Sequence, residues 1–191
     1  MIKELNREHI RQVASIHKRE LSGFLPELGI EFLELFYTTS LSMPEMFTYV
    51  EEEKGEIKGL VTGVTQTKNL YFKIISRQPI RFVVIFLKYF ITHFNHLIKF
   101  YKILTYPGFS EGGAELLSIA VSNQFQKRGI GKKLFQKTAD EFKRRGIGKF
   151  KISVYDRLTA NGFYIKIGCR LVSSFIFLDE RMNYYSFKIQ I

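Results

Sequence analysis

The residues Gln126-Lys127-Arg128-Gly129-Ile130-Gly131 follow an apolar run and precede a segment with helical spacing. A helix start leaves about four backbone N–H groups without intrahelical partners and carries the positive end of the helix dipole. Glycine lets a backbone come close to a phosphate, because no Cβ intervenes. With Lys127, Arg128 and Lys132 adding charge, the segment reads as a cradle for a pyrophosphate. It is neither of the two commonest phosphate loops. One needs Gly-x4-Gly-Lys-Ser/Thr, and the other needs a third glycine where Leu134 stands. The alternative is a plain loop entering a helix with no ligand.

The chain carries its own control. The pentapeptide RGIGK occurs at Arg128–Lys132 and again at Arg145–Lys149. The second copy follows a helical pattern and precedes a strand pattern, so Gly146 is expected to cap a helix C-terminus in the left-handed conformation. The dipole is negative there and repels phosphate. The first copy is therefore assigned to function and the second to structure.

Other chemistry-bearing residues are weaker candidates. His93 and His96 stand three apart at helical spacing, without a nearby carboxylate or cysteine to complete a metal site. They read as a helix face or core pair, and no metal is expected. Cys169 is the single cysteine, which excludes an intramolecular disulfide and a Cys-based zinc site and suits a reducing compartment. It is expected to be a small buried hydrophobe.

The elements around the cradle alternate between strand and helix. Short strand character at Ile2–Leu5 leads into a helix capped by Asn6 and running to about Leu21. Phe24-Leu25-Pro26 is expected to break the chain before a second helix, about Glu27–Ser40. Met46–Glu52 and Glu56–Thr65 read as a hairpin about Glu53-Lys54-Gly55. A loop is marked by Tyr106-Pro107-Gly108 and Gly112-Gly113. Then come a strand at Glu115–Ser122, a helix at about Gly129–Arg145, a strand at Phe150–Val154 and a short helix at Thr159–Ile167. Two strands, Cys169–Leu178 and Met182–Ile189, end the chain. No repeat or low-complexity linker interrupts the 191 residues, so one mixed α/β domain is expected.

Composition is that of a globular chain, with 46% hydrophobic and 25% charged residues. The net charge of +11 suits anionic partners. Its source is local: Ile57–Ser110 holds eight Lys and Arg and no Asp or Glu. Within it, Ile80–Leu104 is strongly apolar, but its longest run without Lys or Arg is ten residues, Tyr89–Ile98. That is too short for a spanning helix, which wants about 20 apolar residues. Arg81, Lys88, Thr92, Asn95, Lys99 and Lys102 fall on one helical face, so an amphipathic helix or helix pair is expected. Its apolar face is read as packing on the core or a homodimer partner. The alternative is a membrane-surface contact through 80–104. No leader segment is expected, since the chain turns polar within Met1–Glu4.

Two motifs together resemble a family. Leu117-Ser-Ile-Ala-Val121 followed by Gln126-x-x-Gly-x-Gly131, and then Ala160-Asn161-x-Phe163-Tyr164-x-Lys166-x-Gly168, are similar to the GNAT superfamily of acetyl-CoA-dependent N-acetyltransferases. Asn123, Arg157 and Cys169 stand where Pro, Asn and an aromatic are common in that family. The resemblance implies a single GNAT-like α/β (α+β) domain over 1–191. It has a mixed central sheet, helices on both faces and a basic helical insert, about 68–113, before the fourth strand.

It further implies acetyl-CoA as co-substrate, held by Ile119, Ala120, Val121, Gln126, Lys127, Arg128, Gly129, Ile130, Gly131 and Lys132, with Asn161 either bonding the pantetheine or starting a helix. Tyr164 is implied as the acid that protonates the leaving thiolate. Glu115 is implied as the base for the amine, and Glu111 is the next residue in line. Such chemistry needs proton removal, because an alkyl amine with a pKa near about 10 is mostly charged at neutral pH. The expected acceptor is a primary amine of a small molecule. An amino sugar is favoured, because the run Gly23-Phe24-Leu25, Leu28-Gly29, Phe32-Leu33 and Tyr37 loosely resembles enzymes of surface-polysaccharide assembly. The alternatives are a macromolecular acceptor, such as charged RNA or protein, and a non-catalytic acyl-CoA-binding or membrane-surface module. A cytoplasmic location is expected, with a peripheral place at the inner membrane surface as its variant.

Overall fold

A computed structural model of the chain describes residues 1–104 and 113–190. The loop marked at 106–112, including Glu111, lies outside the described residues. The strands are β1 (Ile2–Glu4), β2 (Met46–Glu53), β3 (Glu56–Val64), β4 (Glu115–Val121), β5 (Lys149–Tyr155), β6 (Arg170–Phe177) and β7 (Glu180–Lys188). The helices are α1 (Ile10–Glu20), α2 (Phe24–Glu27), α3 (Ile30–Ser40), α4 (Leu70–Arg77), α5 (Pro79–Thr92), α6 (Leu97–Leu104), α7 (Ile130–Arg144) and α8 (Ala160–Lys166).

Seven strands form one sheet in the order β1-β2-β3-β4-β5-β7-β6. Every neighbouring pair is antiparallel except β4 and β5. Two hairpins turn through residues with positive φ: Lys54 and Gly55 at 52° and 80°, and Leu178 and Asp179 at 52° and 64°. Such left-handed pairs match the twist of antiparallel strands. Helices cover both faces. On one face Val13, Ala14, Leu33 and Phe36 of α1 and α3 pack with Leu60 and Val64 of β3, and Leu70, Ile74 and Phe82 join them. On the other, Leu134, Phe135 and Phe142 of α7 pack with Phe47, Val61, Leu116, Phe150 and Ile152.

Two expectations need correction. Phe24-Leu25-Pro26 does not simply break the chain but forms α2, because Pro26 sits in the first turn, where no N–H is needed. The second long helix starts at Ile30 rather than Glu27, since Gly29 takes a φ of 94° that ends α2. Of the two forms expected for Arg81 to Lys102, a helix or a helix pair, the chain takes the pair: it breaks at His93, with φ −131° and ψ 49°. With α4 before it, this pair makes up the described part of the insert. His93 stacks on Tyr89 with ring centroids 4.5 Å apart, and His96 Nδ1 lies 2.7 Å from the Tyr89 hydroxyl. Only Phe82 of α5 and Ile103 of α6 are fully buried, and much of the pair's apolar surface faces solvent.

Candidate functional site

β4 and β5 are paired only where Glu115 faces Lys151, a contact closed by the Lys151 N–H donating to the Ala114 carbonyl at 2.9 Å. Beyond that point the strands diverge. A bulge in β4 begins the divergence: Thr62 faces Ser118 and Gly63 faces Leu116, which leaves Leu117 without an opposite residue.

From Val121 the chain passes through a 3₁₀ turn, Asn123–Phe125, to the cradle. Lys127 and Gly129 both take positive φ, 59° and 78°. Gly129 is the N-cap of α7, and no side chain caps that end. The first intrahelical bond is Lys133 N–H to the Gly129 carbonyl at 3.1 Å, so the N–H groups before it remain available. The Gln126 amide donates to the Val121 carbonyl at 3.0 Å and ties the loop to the end of β4.

A cleft of about 750 Å³ opens at this helix end. Ile119, Ala120, Val121, Gln126, Lys127, Gly129, Ile130, Gly131, Lys132 and Tyr164 line it, so ten of the residues singled out in the sequence come together. Three do not line it. Arg128 turns aside and lies over the Phe125 ring at 5.5 Å. Asn161 uses its amide inside the fold: the nitrogen donates to the carbonyls of Tyr155, Asp156 and Leu158, and the oxygen accepts from Asn183 and the Tyr185 hydroxyl. Glu115 stands elsewhere. Sequence reading missed Phe125, Phe135, Gln136, Ile167 and Phe187 as walls of the cleft. Phe163 and Lys166, also in the wall, belong to the second motif, where their spacing from Tyr164 was the available signal.

Lys127, Lys132 and Lys166 line the cleft, and no carboxylate among the described residues does. Cations and free N–H groups at one end suit a pyrophosphate. The phenylalanines and the unpaired length of β4 suit an extended, partly apolar arm.

Tyr164 is 4% exposed. It packs 5.8 Å from the Tyr185 ring. Burial pushes its hydroxyl well above the ordinary phenol range, with Cys169 adding to the effect, so it holds its proton at neutral pH. Cys169 is itself buried, and burial pushes its thiol up to about 12, which makes it a poor nucleophile.

Glu115 is 5% exposed and lies 3.4 Å from the Lys151 ammonium. Its neighbour Leu116 belongs to the core beneath α7. Glu115 itself points to the opposite face, toward Ser153 of β5 and Tyr71 of α4. Burial raises its carboxyl above the ordinary range, and Lys151 and the Ser153 hydroxyl oppose that rise. Tyr164 and Glu115 thus lie on the two sides of the sheet, flanking the point where β4 and β5 part.

The chain matches the Acetyltransferase (GNAT) family over residues 11–169. No curated protein sequence matches it significantly. Among solved structures, an aminoglycoside 6'-N-acetyltransferase complexed with coenzyme A superimposes with a TM-score of 0.67 at 14% identity, covering 100% of this chain and 98% of that one. The ribosomal-protein-S18-alanine N-acetyltransferase from Escherichia coli gives 0.61 at 14% identity, with 100% and 94% covered. The paia N-acetyltransferase from Thermoplasma acidophilum, in complex with coenzyme A, gives 0.61 at 13% identity, with 98% of each chain covered. At these identities the structural likeness speaks for the fold.

Proposed function

The chain belongs to the GNAT acetyltransferase family and is an N-acetyltransferase, and we propose that it moves the acetyl group of acetyl-CoA to the primary amine of a small acceptor, by direct attack in a ternary complex. The carrying observation is the cleft that runs from an uncapped, glycine-bearing helix start along Ile119, Ala120 and Val121, in the length of β4 that is not paired with β5.

The residues present fit acetyl-CoA. Lys127 and Gly129 curl the backbone so that N–H groups and lysines converge, with no opposing carboxylate among the described residues. When bound, acetyl-CoA supplies an activated thioester. In this reading Gly129, Ile130, Gly131 and Lys132 hold the pyrophosphate, with Gln126 and Lys127 bracing the loop. Ile119, Ala120 and Val121 align the pantetheine arm. A backbone N–H of β4 left free by the divergence of the strands is the donor for the developing oxyanion. Tyr164 holds a proton for the departing thiolate, since a phenol is protonated at neutral pH. Glu115, across the gap, takes the proton of the amine, directly or through one water. A carboxylate raised toward neutrality is a stronger base than one in the ordinary range. Arg128 and Asn161 act on the frame of the site: one braces Phe125 and the other ties the turn before α8.

An amino sugar is the acceptor class we favour. The polar face formed by Lys151, Ser153 and Tyr71 around Glu115 supports it. Among the described residues no helix is long and apolar enough to cross a membrane, and the proposal assigns the enzyme to the cytoplasm. The test is release of free thiol from acetyl-CoA across amino sugars, polyamines, peptides and RNA. Turnover with amino sugars supports the assignment. Turnover confined to peptide or RNA overturns the acceptor class, and no turnover with any amine overturns the proposal as a whole.

A further inference from the structure

The side of α5 turned away from the core is apolar. Ile80, Val83, Val84, Leu87 and Ile91 recur at helical spacing and are 46–81% exposed. Past the break, Phe94 and, on α6, Ile98 and Tyr101 are exposed as well, at 67–77%. Among the described residues, most of the large apolar side chains left in solvent belong to this one insert. Concentrated exposure of that kind marks a docking surface rather than the scattered apolar contacts of an ordinary exterior.

Charge decides what docks. From Ile57 to Ser110 there are eight Lys and Arg and no acidic residue. The carboxylates facing the helix pair come from α2 and α3, where Glu27 meets Lys99 at 2.9 Å and Glu31 meets Lys88 at 3.2 Å. Beside the apolar stripe runs a groove of about 850 Å³, walled by Ile80 and Val84 of the stripe itself. Its polar wall holds Arg7, Arg11, Arg81 and Lys88 against Glu31 and Glu34. Four cations against two carboxylates, along an apolar rim, match a layer in which phosphates border hydrocarbon. A second copy docking here about a two-fold axis would set this cationic surface against itself.

We propose that the α5–α6 face of the insert lies in the plane of an anionic lipid bilayer. The apolar stripe enters the acyl boundary, and the groove cations meet lipid phosphates. No helix among the described residues is long enough to span, so the contact is a surface one. The proposal does not rest on the transferase reading, because the cleft at α7 lies on the opposite face of the sheet.

The test is co-sedimentation of the full chain with vesicles of phosphatidylcholine, with and without phosphatidylglycerol. Binding is expected to the anionic vesicles, to weaken as salt is raised, and to be slight with phosphatidylcholine alone. Leu87→Ser combined with Ile91→Ser should weaken binding at least about tenfold, the scale set by two large aliphatic side chains, while circular dichroism and the melting curve stay unchanged. Ile91→Ser alone repeats the test should the pair disturb folding. Three results overturn the proposal: no binding to anionic vesicles, undiminished binding by a folded variant, or a vesicle-free dimer that the substitutions abolish. The last would assign the face to a second copy of the chain.

Discussion

Gly131→Ala separates the roles of one residue in the fold and in the cleft. Gly131 is the second residue of α7, and its φ is not positive. A Cβ built there meets the Phe163 ring at 3.6 Å and Val121 Cγ2 at 3.8 Å, both ordinary contacts. The free protein therefore accepts alanine without strain and gains helix propensity, up to about 0.5–1 kcal/mol. For a domain of this size that raises the melting temperature by roughly 1–4 °C. The same methyl group projects between two residues at the cleft, where the proposed binding mode brings the pyrophosphate to the backbone. Overpacking of that kind costs about 1–3 kcal/mol. At 1.4 kcal/mol per decade, the Kd for acetyl-CoA should rise roughly tenfold to hundredfold. Calorimetric titration reads the affinity, and differential scanning reads the unliganded stability. A stabilised variant with unchanged Kd would mean that the diphosphate does not sit at this helix start. Gly129 cannot make the same distinction. Its φ of 78° strains any L-residue by about 1–2 kcal/mol, with nothing within 4 Å of the new Cβ, so fold and site would suffer together.

The other expected outcomes follow from the same geometry. Tyr164→Phe should lower kcat about 10²–10⁴-fold with acetyl-CoA affinity and melting temperature little changed, as read by steady-state kinetics and titration; wild-type turnover with chemistry rate-limiting would make Tyr164 a core aromatic only. Glu115→Gln should depress turnover most where the acceptor amine is charged and recover as pH rises; an acid limb shared with wild type would remove Glu115 as the base. Because burial raises the Glu115 carboxyl in the folded state, its contribution is fully present below the ordinary carboxylate range and lost as pH rises through the raised value. Melting curves should therefore show wild type losing ground to the glutamine variant across that rise. Glu141 has the opposite sign: hydrogen bonding from Arg144 first, with Arg145 and Tyr49, holds its carboxyl down to about 2 against burial. Its stabilisation is present above the ordinary range and is lost as pH falls toward 2, and Glu141→Gln should cost about 1.5–3 kcal/mol at neutral pH by chemical denaturation. Gly146→Ala should cost roughly 1 kcal/mol, since φ is 76°, and leave the acetyl-CoA Kd unchanged.

The repeated pentapeptide shows what the sequence could disclose. Gly129 and Gly146 adopt nearly the same φ, 78° and 76°. Their consequences differ because each stands at a different end of α7. At Gly146 the orphan carbonyls are closed by Gly146 N–H to Lys143 at 2.9 Å and Ile147 N–H to Phe142 at 2.9 Å. At Gly129 the orphan N–H groups face a cleft. Order along the chain was enough to predict this, since a glycine before a helix and a glycine after it leave opposite groups unpaired.

Side-chain capacity without partners was less informative. Asn161 can accept and donate to a ligand or to the fold, and only the arrival of Asn183 and Tyr185 from β7, more than twenty residues later, commits its oxygen. The insert shows the same limit. Its spacing disclosed helices with one polar side, but both remaining sides of α5 are apolar, and periodicity does not say which one the core takes. Phe32 of α3, packed on Phe82 and Phe86, settles that choice and leaves the Ile80 side in water.

The placement of Glu115 and Tyr164 is the deepest case. Alternation along β4 would put residues 115, 117, 119 and 121 on one face. The bulge at Leu117 resets the count, so Leu117 packs with the α1–α3 core while Ile119 and Val121 pack beneath α7. Glu115, before the bulge, keeps the first face; Ile119 and Val121, after it, take the second, where Tyr164 also packs. An extra residue in one strand thus puts Glu115 and the cleft side chains Ile119 and Val121 on opposite faces, and the pairing of β4 with β5 is confined to the stretch before it. A chemistry that needs a proton donor at the sulfur and a proton acceptor at the amine needs them on opposite sides of the reacting carbon. The gap in the sheet is where a single carbonyl can face both.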